Sequence, residues 1–220
     1  MRVVFQKPDF FDSVNSVEKD ISETCFSAVH RGGAFAILAR MTPNEIFARM
    51  PASVADELLA HLFENEKPLY KNLIETLAKQ RKLRPVFIER KPRAERFAWI
   101  REALGRKVNE GVAAHLLQIW LVGQHSQLLC DFLDALGIAH DANGTVEELP
   151  PQPAREPLDA AINAVLEKHP REVVSIYLHA FQALDDTGWP LLDEILKSDE
   201  RLKLSGADDG ETKTASAAQT

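Results

Sequence analysis

Seven histidines and two cysteines are the side chains of this chain with the most chemistry to offer. A catalytic metal would need two or three of them on one face, and a helix delivers that at a spacing of four residues. His30, His61, His115, His125, His140, His169 and His179 contain no such pair. Glu57 and His61 do stand four apart, an arrangement that on a helix surface is an ordinary solvated contact. No metal and no cofactor are expected. Cys25 and Cys130 lie on apolar helical patterns and read as buried free thiols rather than as a disulfide or a nucleophile. The stretch His140-Asp141-Ala142-Asn143-Gly144-Thr145-Val146-Glu147 offers oxygen ligands, yet it lacks the alternating carboxylates and closing Glu of a calcium loop. Asn143-Gly144 makes it a turn. No phosphate-binding glycine loop, dinucleotide fingerprint or nucleophile elbow is present. An enzyme would have to assemble its site from distant residues.

Charge is the property that carries functional content. The chain has a net charge of −7, unevenly placed. Lys79 to Lys107 holds eleven bases against Glu89, Glu95 and Glu102, a local excess of eight positive charges. Asp141 to Glu211 holds sixteen acids and six bases. Such asymmetry is an argument about partners rather than about fold. Three readings of the basic window stay open. It is a solvated face balanced by the acidic end of the same molecule or of a second copy; it docks an acidic protein segment; or it binds nucleic-acid phosphates, for which Arg is suited. An acidic chain fits the last reading least well. Arg81, Arg84, Arg93, Arg96 and Arg101 are the candidate partner-binding cations. Trp99 is their candidate aromatic anchor, because it falls off the Phe97–Ile100–Leu104 stripe between Arg96 and Arg101. Its other reading is a wedge between units.

These residues sit within a three-fold echo. A Val-initiated apolar pattern runs Val54 to Phe63, returns at Val112 to Leu121, and returns again at Val173 to Gln182, 58 and then 61 residues apart. Each copy is preceded by a short apolar pattern: Ile46, Phe47 and Met50; Phe97, Ile100 and Leu104; Leu158, Ile162, Val165 and Leu166. Each is followed by a closing one: Leu69, Leu73, Ile74 and Leu77; Leu128, Leu129, Phe132, Leu133 and Leu136; Leu191, Leu192, Ile195 and Leu196. Spacings of three and four put each set on one helical stripe. The fold expected is all-α, a short α-solenoid-like stack of three three-helix units over 42–90, 91–155 and 156–204, within a single domain 1–204. The competing reading is that amphipathic helices resemble one another through their shared period.

Local signals support the helices. Thr42-Pro43-Asn44-Glu45 is a capping box with Pro at the first helical position. Ser53 with Asp56 is a weaker cap before Val54, and Pro92, Pro157 and Pro190 suit first turns. Gly137 is expected to end a helix in the left-handed conformation. A further helix is expected from Asp12 to Gly32-Gly33, and a short one over Ala34 to Met41. Met1 to Phe5 is apolar, a strand or a loose arm. Residues 138–156 form a Pro-rich connector, either hinge or loop, and 205–220 a disordered tail. Trp120 and Phe181 align with Leu62 and are expected to be core. No secretory signal is visible, and no apolar run is long enough to span a bilayer. A cytoplasmic protein with no membrane partner is expected. Its function would be that of a non-catalytic adaptor capturing an acidic protein segment, with homo-oligomers possible through the basic and acidic ends. A nucleic-acid-associated protein and a helical enzyme are the alternatives.

Overall fold

The computed structural model describes residues 40–146, 150–184 and 188–204. The expected helix before Gly32, the arm at Met1 and the tail 205–220 lie outside the described residues. So does most of the short helix over Ala34 to Met41, whose last two residues, Arg40 and Met41, are non-helical. Within the described residues the fold is all-helical. In chain order it comprises α1 (Pro43–Arg49), α2 (Ala52–Asn65), α3 (Lys67–Gln80), α4 (Pro85–Glu89), α5 (Arg93–Leu104), α6 (Glu110–Gln124), α7 (Ser126–Ala135), α8 (Arg155–Lys168), α9 (Arg171–Leu184) and α10 (Pro190–Ser198). Single 3-10 turns follow α5 and α10, at Lys107–Asn109 and Glu200–Leu202.

Each apolar pattern of the echo becomes a helix. The leaders are α1, α5 and α8; the Val-initiated helices are α2, α6 and α9; the closing helices are α3, α7 and α10. The pairs α2–α3 and α6–α7, each joined through a single non-helical residue, pack against one another, and α7 packs against α8 across the long connector. Between α2 and α3 only Glu66 is non-helical, and between α6 and α7 only His125. The packing is not confined to neighbours. The leader α1 lies against α5, α6 and α9, so the first unit reaches the third directly. Ile46 and Phe47 of this seven-residue helix, and Met50 just after it, are each no more than 1 % exposed. One continuous apolar core runs from Ile46 to Leu204. Trp120 and Trp189 are its largest fully enclosed side chains. Phe181 packs at its margin.

Caps decide where several helices begin and end. The Thr42 N–H donates to Glu45 Oε2 at 2.9 Å, closing the box that starts α1. The second cap expected does not form: α2 starts at Ala52 after Pro51, which leaves Ser53 inside the helix. A proline at the boundary fixes φ and so selects the start before the serine can. α7 ends as expected. Gly137 adopts φ 68°, its N–H donates to Asp134 O, and the Ile138 N–H donates to Leu133 O. The same pair of bonds ends α3, from Lys82 to Lys79 O and from Leu83 to Ala78 O. There the left-handed residue is Lys82, at φ 54°. A Cβ in that conformation costs about 1–2 kcal/mol.

The connector after α7 is a docked loop. Asp141 accepts from the N–H groups of Asn143 and Thr145 and from the Thr145 hydroxyl, at 2.9, 2.8 and 2.7 Å. Its carboxylate is spent on its own turn. Gly144, at φ 72°, lies so close to α7 that a Cβ would stand 2.5 Å from Leu129 Cβ. Farther along, Pro150 O accepts from Trp189 Nε1, and Gln152 Oε1 accepts from the Leu191 N–H. Across the hairpin joint, Asp131 of α7 is held by Gln127, by Lys168 at 3.5 Å and by His169 at 2.8 Å.

Because α1 packs against α5, α6 and α9, truncating its buried side chains should unsettle the whole core. Phe47→Ala is expected to cost about 3–5 kcal/mol in urea unfolding. A loss below about 1 kcal/mol would show that α1 is peripheral.

Candidate functional site

The basic window is carried by the end of α3, by α4 and by α5, and the candidate residues within it have different environments. Arg81 donates to Glu102 at 3.1 Å, and its guanidinium stands 5.0 Å over the Trp99 ring. Trp99 is half-buried against the core beneath it. Arg93 pairs with Glu64 at 3.2 Å and lies over Phe63 and Phe97. Arg96 donates to Glu89 O at 3.1 Å and lies over Phe63 and Tyr70. Arg101 reaches Asp56 at 4.0 Å. Those four arginines and Trp99 thus tie α5 to α2, to α3 and to its own surroundings. The rings they cover form an edge-to-face chain, Phe63 to Tyr70 to Phe97. Cations over such rings contribute about 0.5–1 kcal/mol each at partly exposed sites. Arg84 differs from them. It is exposed, precedes α4, and has no ion pair among the described residues.

Once the paired cations are set aside, a smaller feature remains at the α3–α4 corner. Lys79, Lys82, Arg84 and Arg90 have no hydrogen-bonded or ion-paired side-chain partner among the described residues. Leu83, Val86 and Phe87 lie between them in sequence and are exposed, Phe87 to 58 %. The only other large exposed apolar side chain among the described residues is Val108. The reason is geometric: α4 is a five-residue turn that contributes one core residue, Ile88, and leaves Val86 and Phe87 outside. An apolar cluster ringed by cations without counter-ions can take up a chain segment that is itself apolar and acidic.

Comparison with protein-family models, with curated proteins and with solved structures finds no match to this chain.

The remaining chemistry-bearing residues are dispersed. No group of three or more His, Cys, Asp or Glu among the described residues is placed to hold a metal ion. His61 contacts Asn65 rather than Glu57, at 3.2 Å. Cys130 is a half-buried free thiol near Ala142 O, its pKa pushed up by burial. Cys25 lies outside the described residues. Burial raises the Asp131 carboxyl, but the hydrogen bonds from His169 and Gln127 outweigh it and hold the group below its ordinary value. No helix among the described residues is long and apolar enough to cross a membrane.

A second concave feature was not visible in the sequence. A cavity of about 550 Å³ opens beside α1, α9 and α10 and is lined by Arg49, His179, Asp193 and Lys197 among others. His179 is buried, and burial holds its imidazole below the ordinary 6.5. The same cause lowers His115 and His125. The signal available was a pair of polar residues, Ser175 and His179, four apart on one face of the mostly apolar stretch Val173 to Phe181.

Two outcomes follow from these environments. Trp120 and Trp189 are enclosed, so removing the Arg81 roof should be read through Trp99 alone. Arg81→Ala is expected to red-shift tryptophan emission and raise acrylamide quenching; unchanged emission would contradict the stacked geometry. Below pH 6.5 the unfolded chain takes up protons that the buried, neutral histidines refuse, so stability should fall as the pH drops from about 7 towards 5. His179→Gln is expected to flatten part of that slope in urea titrations, and an unchanged slope would contradict its burial as a neutral group.

Proposed function

We propose that this protein is a non-catalytic helical-repeat scaffold or adaptor, and that it captures a short acidic, apolar protein segment on the α3–α4 corner. One observation carries the reading: Leu83, Val86 and Phe87 are exposed among Lys79, Lys82, Arg84 and Arg90, whose charges no described residue neutralises. Arg84 thereby stays a binding residue. Arg81, Arg93, Arg96, Arg101 and Trp99 act by stiffening the ground beneath it. The strained backbone of Lys82 supports the same view. A glycine would cap α3 without penalty, and strain of this kind accumulates where a side chain is kept for another purpose.

Length scales favour a short segment over a larger polyanion. Screening confines the corner's field to roughly 8 Å at physiological salt. A peptide seated there feels the corner, whereas a bilayer or a duplex also meets the rest of a chain of net charge −7. A second copy of this chain, offering its acidic third triple, has the same chemistry as the segment. It would appear as salt-sensitive self-association.

The test is fluorescence polarisation of a synthetic amphipathic peptide with Leu and Phe on one face and Glu on the other, titrated with the full chain. Binding is expected, weakening with salt and lost on replacing Glu by Lys. Phe87→Ser, or Lys82→Glu with Arg84→Glu, should weaken it about tenfold or more, the loss of about 1.4 kcal/mol or more that marks an interface anchor. Lys82→Gly should separate the two roles of that residue, weakening binding while stabilising the fold by about 1 kcal/mol, the left-handed strain relieved less the extra entropy a glycine loses on folding. Equal binding of both peptides, or indifference to Phe87→Ser, would overturn the proposal.

A further inference from the structure

The cavity beside α1 lies at a different place from the α3–α4 corner, and its charges do not cancel. Two carboxylates line it, and both are already engaged. Glu45 accepts from the Thr42 N–H at 2.9 Å, and Asp193 accepts from Arg40 at 3.0 Å. Lys203 is paired with Glu200, which does not line the cavity. Arg49 and Lys197 also line it, and neither has a hydrogen bond or ion pair with any described residue. Each sits in the last turn of its helix, α1 and α10. Position at a helix C-terminus explains why a cation is tolerated there. It does not provide a counter-ion at the cavity wall.

The third polar wall is His179, 8 % exposed. Its Nε2 stands 3.2 Å from Leu202 O. A carbonyl oxygen only accepts, so Nε2 carries the proton and Nδ1 keeps its lone pair. No described group donates to that lone pair. Met41, Leu196 and Leu204 add apolar wall. The volume, about 550 Å³, falls in the range of small-molecule sites rather than of protein interfaces.

We infer that this cavity is a binding site for a small phosphate ester bearing a hydroxyl group. The phosphate would lie between Arg49 and Lys197, the hydroxyl would donate to His179, and the short carbon frame would rest on Met41, Leu196 and Leu204. Arg is the group that meets a phosphate with two parallel N–H bonds, and Lys adds a point charge. Larger phosphorylated partners would not be enclosed by a space of this size.

Isothermal titration of the full chain with glycerol phosphate, and separately with inorganic phosphate, tests the site. Saturable binding at one site per chain is expected, tighter for glycerol phosphate because only it can reach both ends of the cavity. Arg49→Gln and Lys197→Gln should each weaken it about tenfold or more, while Lys82→Glu, at the distant corner, should leave it unchanged. That control separates this site from the adaptor surface, since Lys82→Glu impairs one and spares the other. Should either variant fail to fold, the unaltered chain supplies the second readout. Glycerol phosphate is expected to shift the His179 imidazole resonances in NMR spectra and to leave those of His140 in place. Absence of saturable binding, binding indifferent to both substitutions, or an unmoved His179 would overturn the inference.

Discussion

The fold depends on burying a helix too short to exist alone. Isolated helices below about 12–15 residues are marginal in water, and α1 has seven residues. It persists because Ile46, Phe47 and Met50 are enclosed by helices from the other two triples. Polar contacts fix its orientation. The capping box sets its start, Asn44 Nδ2 donates to Gly105 O at 3.4 Å, and Arg40 reaches Asp193 across 153 residues of sequence. Gly105 lets the helix approach, since Ala48 Cβ stands only 3.3 Å from where a Cβ at that position would lie. α5, α6 and α9 are arranged about α1, and their partners α7, α8 and α10 are arranged about them.

Both surfaces with functional content follow from that arrangement. With α1 in the centre, the α2–α3 pair packs on α5 and α6, and the short α4 is left at the rim with Phe87 uncovered by the described residues. At the other end of α1, Arg49 is carried to the gap between α9 and α10, where Lys197 and His179 also stand. Ion pairs then decide which charges stay available. Glu64 and Asp56 neutralise Arg93 and Arg101, and Glu102 is shared by Arg81 and Arg106; of the window's cations left without an ion pair among the described residues, Lys79, Lys82, Arg84 and Arg90 stand at the α3–α4 corner, and Arg96 and Lys107 lie outside it.

Helices were legible in the sequence because burial on one face imposes a period, and each apolar stripe of the three-fold echo, all of it within the described residues, falls on a helix. Gly137 was legible because its conformation admits few other residues. What escaped was whatever depends on residues distant in sequence. Arg93 and Glu64 are 29 residues apart, and no local rule pairs them. Phe87 carries the composition of core, yet it follows Pro85 in a turn too short to bury both its sides, whereas Phe97 on a twelve-residue helix is enclosed. Lys82 hides a helix end that a glycine would have announced. His179 stood in plain view in an apolar helix, but its neighbours, Leu202 O and Arg49, come from elements at either end of the described chain.

If α1 joins α5, α6 and α9 into one cooperative body, native-state hydrogen exchange measured by mass spectrometry will show it. Amides of residues 46–50 are expected to exchange with the slowest class, together with those of α6 and α9, in a single global opening. Amides of α1 that exchange rapidly while α6 and α9 stay protected would contradict it, and would leave the corner and the cavity resting on a stack without a centre.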